Sequence, residues 1–406
     1  MSTQVPPLRR NRDFLLLWTG SAVSGLGTNA TSVAYPLLVL AVTGSPVDAG
    51  VSGFLALLPQ LLFQLPAGAL VDRWNRKRVM IWCDILRALA IGTIVLALAF
   101  DVVHLAHILL VGFAEGVLSV CFRIAAAAAV PNVVHPSQLA VAMSRNETRV
   151  RGAAMLGQPL GGFLFGLGRA VPFLFDALSY AVSLVTLLFI RRDFQVNRAP
   201  VRRRSRTELF QGAVWLWHQP FLRTTTLLVA GSNLLFQALF LVVIVLATDY
   251  GASPSAIGVM FGVAAVGGVV GSLLAPAIER RLSMRVVVVA ANWAWAVLVP
   301  LILLVRDPYL VGAVYALMTF VGPVWNVAIS AYQLVITPDE IQGRVLGAVG
   351  MIALGAVPLG SLVGGLLLGR IGTLPTVAVL AGWMLLLAVV ATVNPSVRRA
   401  PRLAQV

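Results

Sequence analysis

Four carboxylates stand inside long apolar runs of the chain: Asp84, Glu115, Glu147 and Asp176. Charged groups in such places are costly and are usually paired or functional. Their chemistry is either a static ion pair or the uptake and release of a proton. Allowing 1.5 Å per residue, Asp84 and Arg87 fall level with Arg123 of the next run, which predicts a buried pair or triad. A static pair satisfies itself without moving, and a proton site at Asp84 stays open beside it. Glu115 lies near mid-depth with no basic residue within a turn of it. A carboxyl desolvated there serves either as a proton-binding site, for which it is the first candidate, or as a hydrogen-bonded packing group. Glu147 has Arg151 at i+4, the spacing of a local helical ion pair. Asp176, in "PFLFDALSY", enters from the other side of the same layer. It is a third candidate for proton binding, with a place beside Arg169 equally open.

These groups belong to a chain of 406 residues that is 59% hydrophobic and 11% charged, where soluble domains carry about 25% charged residues. Mean hydropathy is +0.91. Helices of about 20 apolar residues cross a bilayer, and twelve such runs are predicted at 14–41, 47–71, 79–100, 105–129, 138–167, 170–190, 224–248, 254–278, 285–305, 308–333, 342–369 and 371–393. The one extended polar stretch divides the chain into residues 1–190, a linker at 191–223, and residues 224–406. Within the linker, "ELFQGAVWLWHQPFL", with Phe210, Trp215 and Trp217, reads as a helix lying among lipid headgroups.

The net charge of +15 sits mostly in segments on one side of the predicted spans, with Arg169, Arg306 and Arg370 alone on the other. That asymmetry predicts both termini in the cytoplasm and leaves no face for nucleic acid. The opening "MSTQVPPLRRNRDF" runs into an apolar segment without an A-x-A cleavage site and is read as an uncleaved first span. Cys83 and Cys121 lie inside apolar runs, and His104, His107, His135 and His218 are scattered. No metal spacing, nucleophile elbow or phosphate-binding loop is present, so no cofactor, metal, enzyme or ATP-driven pump is expected.

The basic loop "GALVDRWNRKRVM", Gly68 to Met80, returns as "APAIERRLSMRVV". Asp72 and Arg73 match Glu279 and Arg280, and Arg78 and Val79 match Arg285 and Val286, at one constant separation. "GQPLGG" (Gly157 to Gly162) is echoed by "AVPLGS" (Ala356 to Ser361). A duplicated chain in parallel halves follows. Gly157, Gly161 and Gly162 allow close helix approach, and Pro159 removes a helix hydrogen bond. Static packing and a flexing interface both fit.

"GALVDRWNRKRV" resembles the Gly-x-Leu-Ala-Asp-Arg-x-Gly-Arg-Arg loop of the major facilitator superfamily. With "RNRDFLLLWTG", "DILRAL", "FDALSY" and "GRVLGAV" the chain resembles that superfamily's twelve-span efflux group, which includes macrolide exporters. The resemblance implies an all-α membrane protein of twelve transmembrane helices in two pseudo-symmetric six-helix halves. It further implies a monomeric secondary transporter in a bacterial inner membrane, exporting lipophilic or amphipathic small molecules in exchange for protons by alternating access. A dedicated exporter of one endogenous product, such as a siderophore or lipid-like molecule, is the second reading, and a non-transporting scaffold or enzyme the third.

Carried onto this chain, the family pattern makes Gly68, Asp72, Arg73, Arg76, Arg78, Glu279 and Arg285 a cytoplasmic latch, against the plainer reading of a topology signal. Asn75 stands where the family has glycine, and a left-handed turn is expected to persist there. Cavity-lining positions would be Asn29, Thr31, Tyr35, Glu115, Asn233, Gln237, Trp325 and Asn326. Few polar anchors on a large apolar surface suit a lipophilic ligand. Many relatives carry an acid where this chain has Asn29, so coupling must rest on another acid. Pro159 is displaced by one from the family's Gly-Pro-x-x-Gly-Gly.

Overall fold

A chain surrounded by hydrocarbon must satisfy its backbone polar groups within itself, which favours helices. The computed structural model describes residues 7–192, 194 and 206–400 and, within these, every side chain apart from Leu65, Ala69, Asp72 and residues 206–210. Six long helices come first: α1 (Arg12–Thr43), α2 (Pro46–Arg73), α3 (Arg76–Ala99), α4 (Leu105–Val133), α5 (Leu139–Leu167) and α6 (Val171–Phe189). A shorter α7 (Arg206–Trp217) precedes α8 (Pro220–Asp249), α9 (Pro254–Glu279), α10 (Met284–Leu301), α11 (Pro308–Ile336), α12 (Gln342–Ile371) and α13 (Thr373–Val393). Eleven of the described helices are long and apolar enough to cross a membrane. The twelfth long helix, α5, falls short in composition because "SRNETRVR" occupies its first half.

Short polar side chains start these helices by accepting orphan backbone N–H groups. Asn11 receives Phe14 N–H at 3.1 Å, Ser253 receives Ala256 N–H at 3.2 Å and Ser283 receives Val286 N–H at 3.4 Å. Asn75 does the same for α3, receiving Arg78 N–H at 3.1 Å. Its φ of −68° and ψ of 114° are extended, so the expected left-handed turn is absent. An amide that closes the helix start works from extended backbone.

Two compact units emerge, Met1–Gly44 with Leu55–Arg202, and Ser45–Phe54 with Arg203–Val406. In the first, α1 packs on α5 and α6, and α3 packs on α4 and α6. In the second, α8 packs on α12 and α13, α10 on α11 and α13, and α11 on α9. The second unit also takes in the first turns of α2, where a Cβ on Gly50 would lie 2.7 Å from Gly365 Cα.

The two units share their glycine contacts as well as their plan. A Cβ on Gly161 would come 2.9 Å from Ala30 Cα, and one on Gly364 would come 2.9 Å from Ala238 Cα. One turn earlier, Gly157 abuts Asn29 and Gly360 abuts Gln237. The structural counterpart of "GQPLGG" is therefore "GSLVGG", Gly360 to Gly365, rather than "AVPLGS". The basic loop shows a smaller slip: the caps Asn75 and Ser283 are separated by one residue more than Asp72 and Glu279.

The linker helix α7 belongs to the second unit. Leu216 packs with Leu222 and Val345, Trp215 covers their edge, and the Arg344 guanidinium bonds Gln211. Gly212 sits against the backbone of Arg344 and Val345. Val214 and Trp217 are exposed, and the Arg223 guanidinium lies 5.5 Å from the Trp217 ring centroid. Phe210, named for the same helix, has its side chain outside the described residues.

Candidate functional site

Polar residues at helical spacing converge inside the first unit. On α1 these are Thr28, Thr31 and Tyr35; on α6 they are Asp176, Ser179, Tyr180 and Ser183. Steps of three and four residues put each set on one face. Between them, α4 contributes Glu115 and Ser119, and α3 contributes Asp84 and Arg87.

Glu115 is not isolated. Tyr180 donates its hydroxyl to Oε1 at 2.7 Å, and Tyr35 donates to Oε2 at 2.9 Å. Asp176 accepts from Thr31 at 3.0 Å and from Ser179 at 3.2 Å. The Tyr180 hydroxyl also pairs with that of Thr28 at 2.9 Å, one turn from Thr31. Hydroxyls on α1 and α6 thus hold both carboxyl groups.

Beside them, Arg87 pairs with Asp84 and lies between two rings, 4.4 Å from the Phe122 centroid and 4.3 Å from that of Tyr180. Relative exposures are 0% for Asp84, 2% for Arg87, 5% for Glu115 and 0% for Asp176. Bonds at such low dielectric are strong, and a missing partner is expensive. Asp84 Oδ2 and Ser183 Oγ are the buried atoms of this cluster without a hydrogen bond.

Several sequence expectations move. Arg123 does not join the Asp84–Arg87 pair: its side chain is exposed. Adjacent helical residues point about 100° apart, so Phe122 faces Arg87 and Arg123 turns away. Tyr35 and Thr31, expected to line a cavity, are buried and hold the two acids. Trp325 is buried too, its ring centroid 6.1 Å from that of Trp295. Asp176 bonds Thr31 and Ser179, and Arg169 is not among its ion-pair partners. Asn326 is exposed, and Asn29 is half-buried, donating to Gly25 O at 2.8 Å. Asn233 donates to Ala353 O at 2.8 Å and Gln237 to Ser361 Oγ at 3.0 Å. Glu147 and Arg151 form their i+4 pair at 2.8 Å, both 60% exposed.

In the basic loop, Arg76 donates to Ala128 O at 2.8 Å and Lys77 to Ile190 O at 2.6 Å. Both groups meet carbonyls near helix C-termini, where cations are favoured. Arg73, Arg78 and Arg285 are exposed, and Glu279 is half-buried at the end of α9. Gly68 has open space around its Cα. The Asp72 side chain lies outside the described residues. Among those residues no group of three or more His, Cys, Asp or Glu could hold a metal.

The second unit repeats the layout with different chemistry. Counted from the caps Asn75 and Ser283, Asp84 corresponds to Asn292 and Arg87 to Trp295. Counted along α4 and α11, each of 29 residues, Glu115 corresponds to Met318 and Phe122 to Trp325. Trp295 donates to Met318 O at 2.9 Å. Amide, aromatic and thioether groups, Asn292, Trp295 and Met318, stand where the first unit has Asp84, Arg87 and Glu115.

Twelve long helices in two units of one plan, with an acid cluster that among the described residues lies in the first, define a multi-pass membrane transporter of the major facilitator superfamily. The chain belongs to that superfamily's transmembrane secretion effector family, whose model matches residues 2–405. The multidrug efflux pump Tap of Mycolicibacterium fortuitum is 27% identical over 404 residues, covering 95% of this chain and 96% of the relative. Macrolide efflux protein A of Streptococcus pyogenes is 33% identical over 87 residues, 21% of either chain. A variant of the nucleoside transporter NupG matches at TM-score 0.76 and 13% identity, covering 94% of this chain and 99% of that one, a likeness of fold alone.

Proposed function

We propose that this transporter exports lipophilic or amphipathic small molecules in exchange for protons by alternating access, with Glu115 and Asp176 as the proton-carrying groups. The observation behind this reading is the buried cluster on α1, α4 and α6, in which two carboxyls are held by hydroxyls that can rotate. Asp84 is less suited, because Arg87 already balances its charge. Thr31 and Tyr35 tie both acids to α1, the helix that also carries Asn29. A change of protonation therefore acts on α1 directly, and Asn29, Asn233, Gln237 and Asn326 are the polar anchors proposed for ligand. The efflux pumps among the relatives support the outward direction.

The same proposal places the protein as a monomer in a bacterial inner membrane with both termini in the cytoplasm, on the arginine asymmetry. It assigns Gly68, Asp72, Arg73, Arg76 and Arg78, with Glu279 and Arg285, to a latch on that side. Gly157, Pro159, Gly161 and Gly162 form the helix contact that must flex or slide.

Proteoliposomes loaded with a panel of lipophilic dyes test the reading. Export should follow an imposed pH gradient and stop in Glu115→Gln, which should still bind dye. Transport that continues with neither a pH gradient nor a membrane potential would overturn proton exchange.

A further inference from the structure

Arg123 lies ten residues before the end of α4 at Val133, about 15 Å along the helix at 1.5 Å per residue. Its side chain is exposed and makes no hydrogen bond, ion pair or ring contact with the described residues. Beyond Leu110, the exposed positions of α4 are Arg123, Ala127 and Pro131, a single line at i, i+4 and i+8. Faces that meet lipid look different here. On α3 the exposed residues include Trp82, Leu86, Leu89 and Leu96, and on α6 they include Leu178, Val185 and Leu188. A guanidinium among small residues at this depth belongs on a water-filled surface, since hydrocarbon would exact a large penalty.

A cation held there calls for an anion, and among the described side chains no carboxylate pairs with it. The described acids of the first unit's helices have other partners: Asp13 lies 3.9 Å from Arg192, Asp84 pairs with Arg87, Glu115 and Asp176 accept from hydroxyls, and Glu147 pairs with Arg151.

We infer that Arg123 binds the anionic group of the transported molecule, so that the substrates include amphipathic anions such as carboxylates, sulfates or phosphates attached to an apolar body. A guanidinium offers a planar pair of donors that matches such groups. The inference rests on the export reading and narrows its substrate class.

The test is binding of pyrenebutyrate and of its uncharged methyl ester to the full chain in phosphatidylcholine nanodiscs, read by tryptophan-to-pyrene energy transfer. Wild-type protein should bind the acid about tenfold more tightly than the ester, as one charge-assisted hydrogen-bonded contact provides. Arg123→Gln should erase that preference by weakening the acid alone, with retained ester binding reporting a folded protein, and Arg123→Lys should keep most of it. No preference in the wild type, a preference that survives in Arg123→Gln, or equal weakening of acid and ester would each overturn the inference. So would displacement of the acid by phosphatidylglycerol in the disc, which would make a lipid headgroup the anion that Arg123 holds. Arg123-dependent acid binding without proton-driven export would leave this site standing and remove the exchange reading instead.

Discussion

The Tyr180 side chain joins two charged residues that do not bond each other: its hydroxyl donates to Glu115 at 2.7 Å, and its ring lies 4.3 Å from the Arg87 guanidinium. Tyr180→Phe keeps the ring and removes the donor. Leaving a buried carboxyl oxygen short of a bond costs about 1–3 kcal/mol, so the melting temperature in detergent should fall. Gradient-driven export should slow by about tenfold or more, since a proton-transferring contact is lost. Unchanged export in Tyr180→Phe would detach this hydroxyl from proton handling.

The Asp84–Arg87 pair is expected to be structural. Arg87→Met strands a buried carboxylate and should destabilise the fold by about 3–5 kcal/mol. Asp84→Asn combined with Arg87→Met removes both charges and should recover most of the loss. Melting curves and the yield of monodisperse protein read the difference, and a double variant as unstable as Arg87→Met would contradict the pairing.

The glycines of α5 and α12 should respond alike. Gly161→Ala and Gly364→Ala each drive a methyl to 2.9 Å from a facing Cα, and overpacking of that kind costs about 1–3 kcal/mol. Gly68→Ala meets nothing within 4 Å and should leave the melting temperature unchanged or slightly raised, through better helix propensity. Lost turnover in a fully stable Gly68→Ala variant would support the latch; normal turnover would argue for a topology signal.

Much of the helical architecture was legible because bilayer thickness imposes it: the long apolar runs follow from that constraint. The cluster was half legible. Glu115 and Asp176 announced themselves as acids in apolar runs, but Tyr35 was expected to line a cavity and Tyr180 had no role, because a hydroxyl on another helix leaves no mark near the acid. The step of four from Asp176 to Tyr180 was the available signal. Arg123 was misplaced because depth along an axis says nothing of direction around it. The glycine repeat slipped because the triplet Pro-Leu-Gly recurs in both halves, whereas contacts with Ala30 and Ala238 are what define the equivalent positions.

The unpaired guanidinium of Arg123 also has an electrical consequence. Where a monoanion leaves the cell as one proton enters, two elementary charges move in the same sense, each worth about 2.3 kcal/mol per 100 mV of membrane potential. Such a cycle carries current and is pulled by voltage as well as by pH. Exchange of a monovalent cation for one proton would be electrically silent.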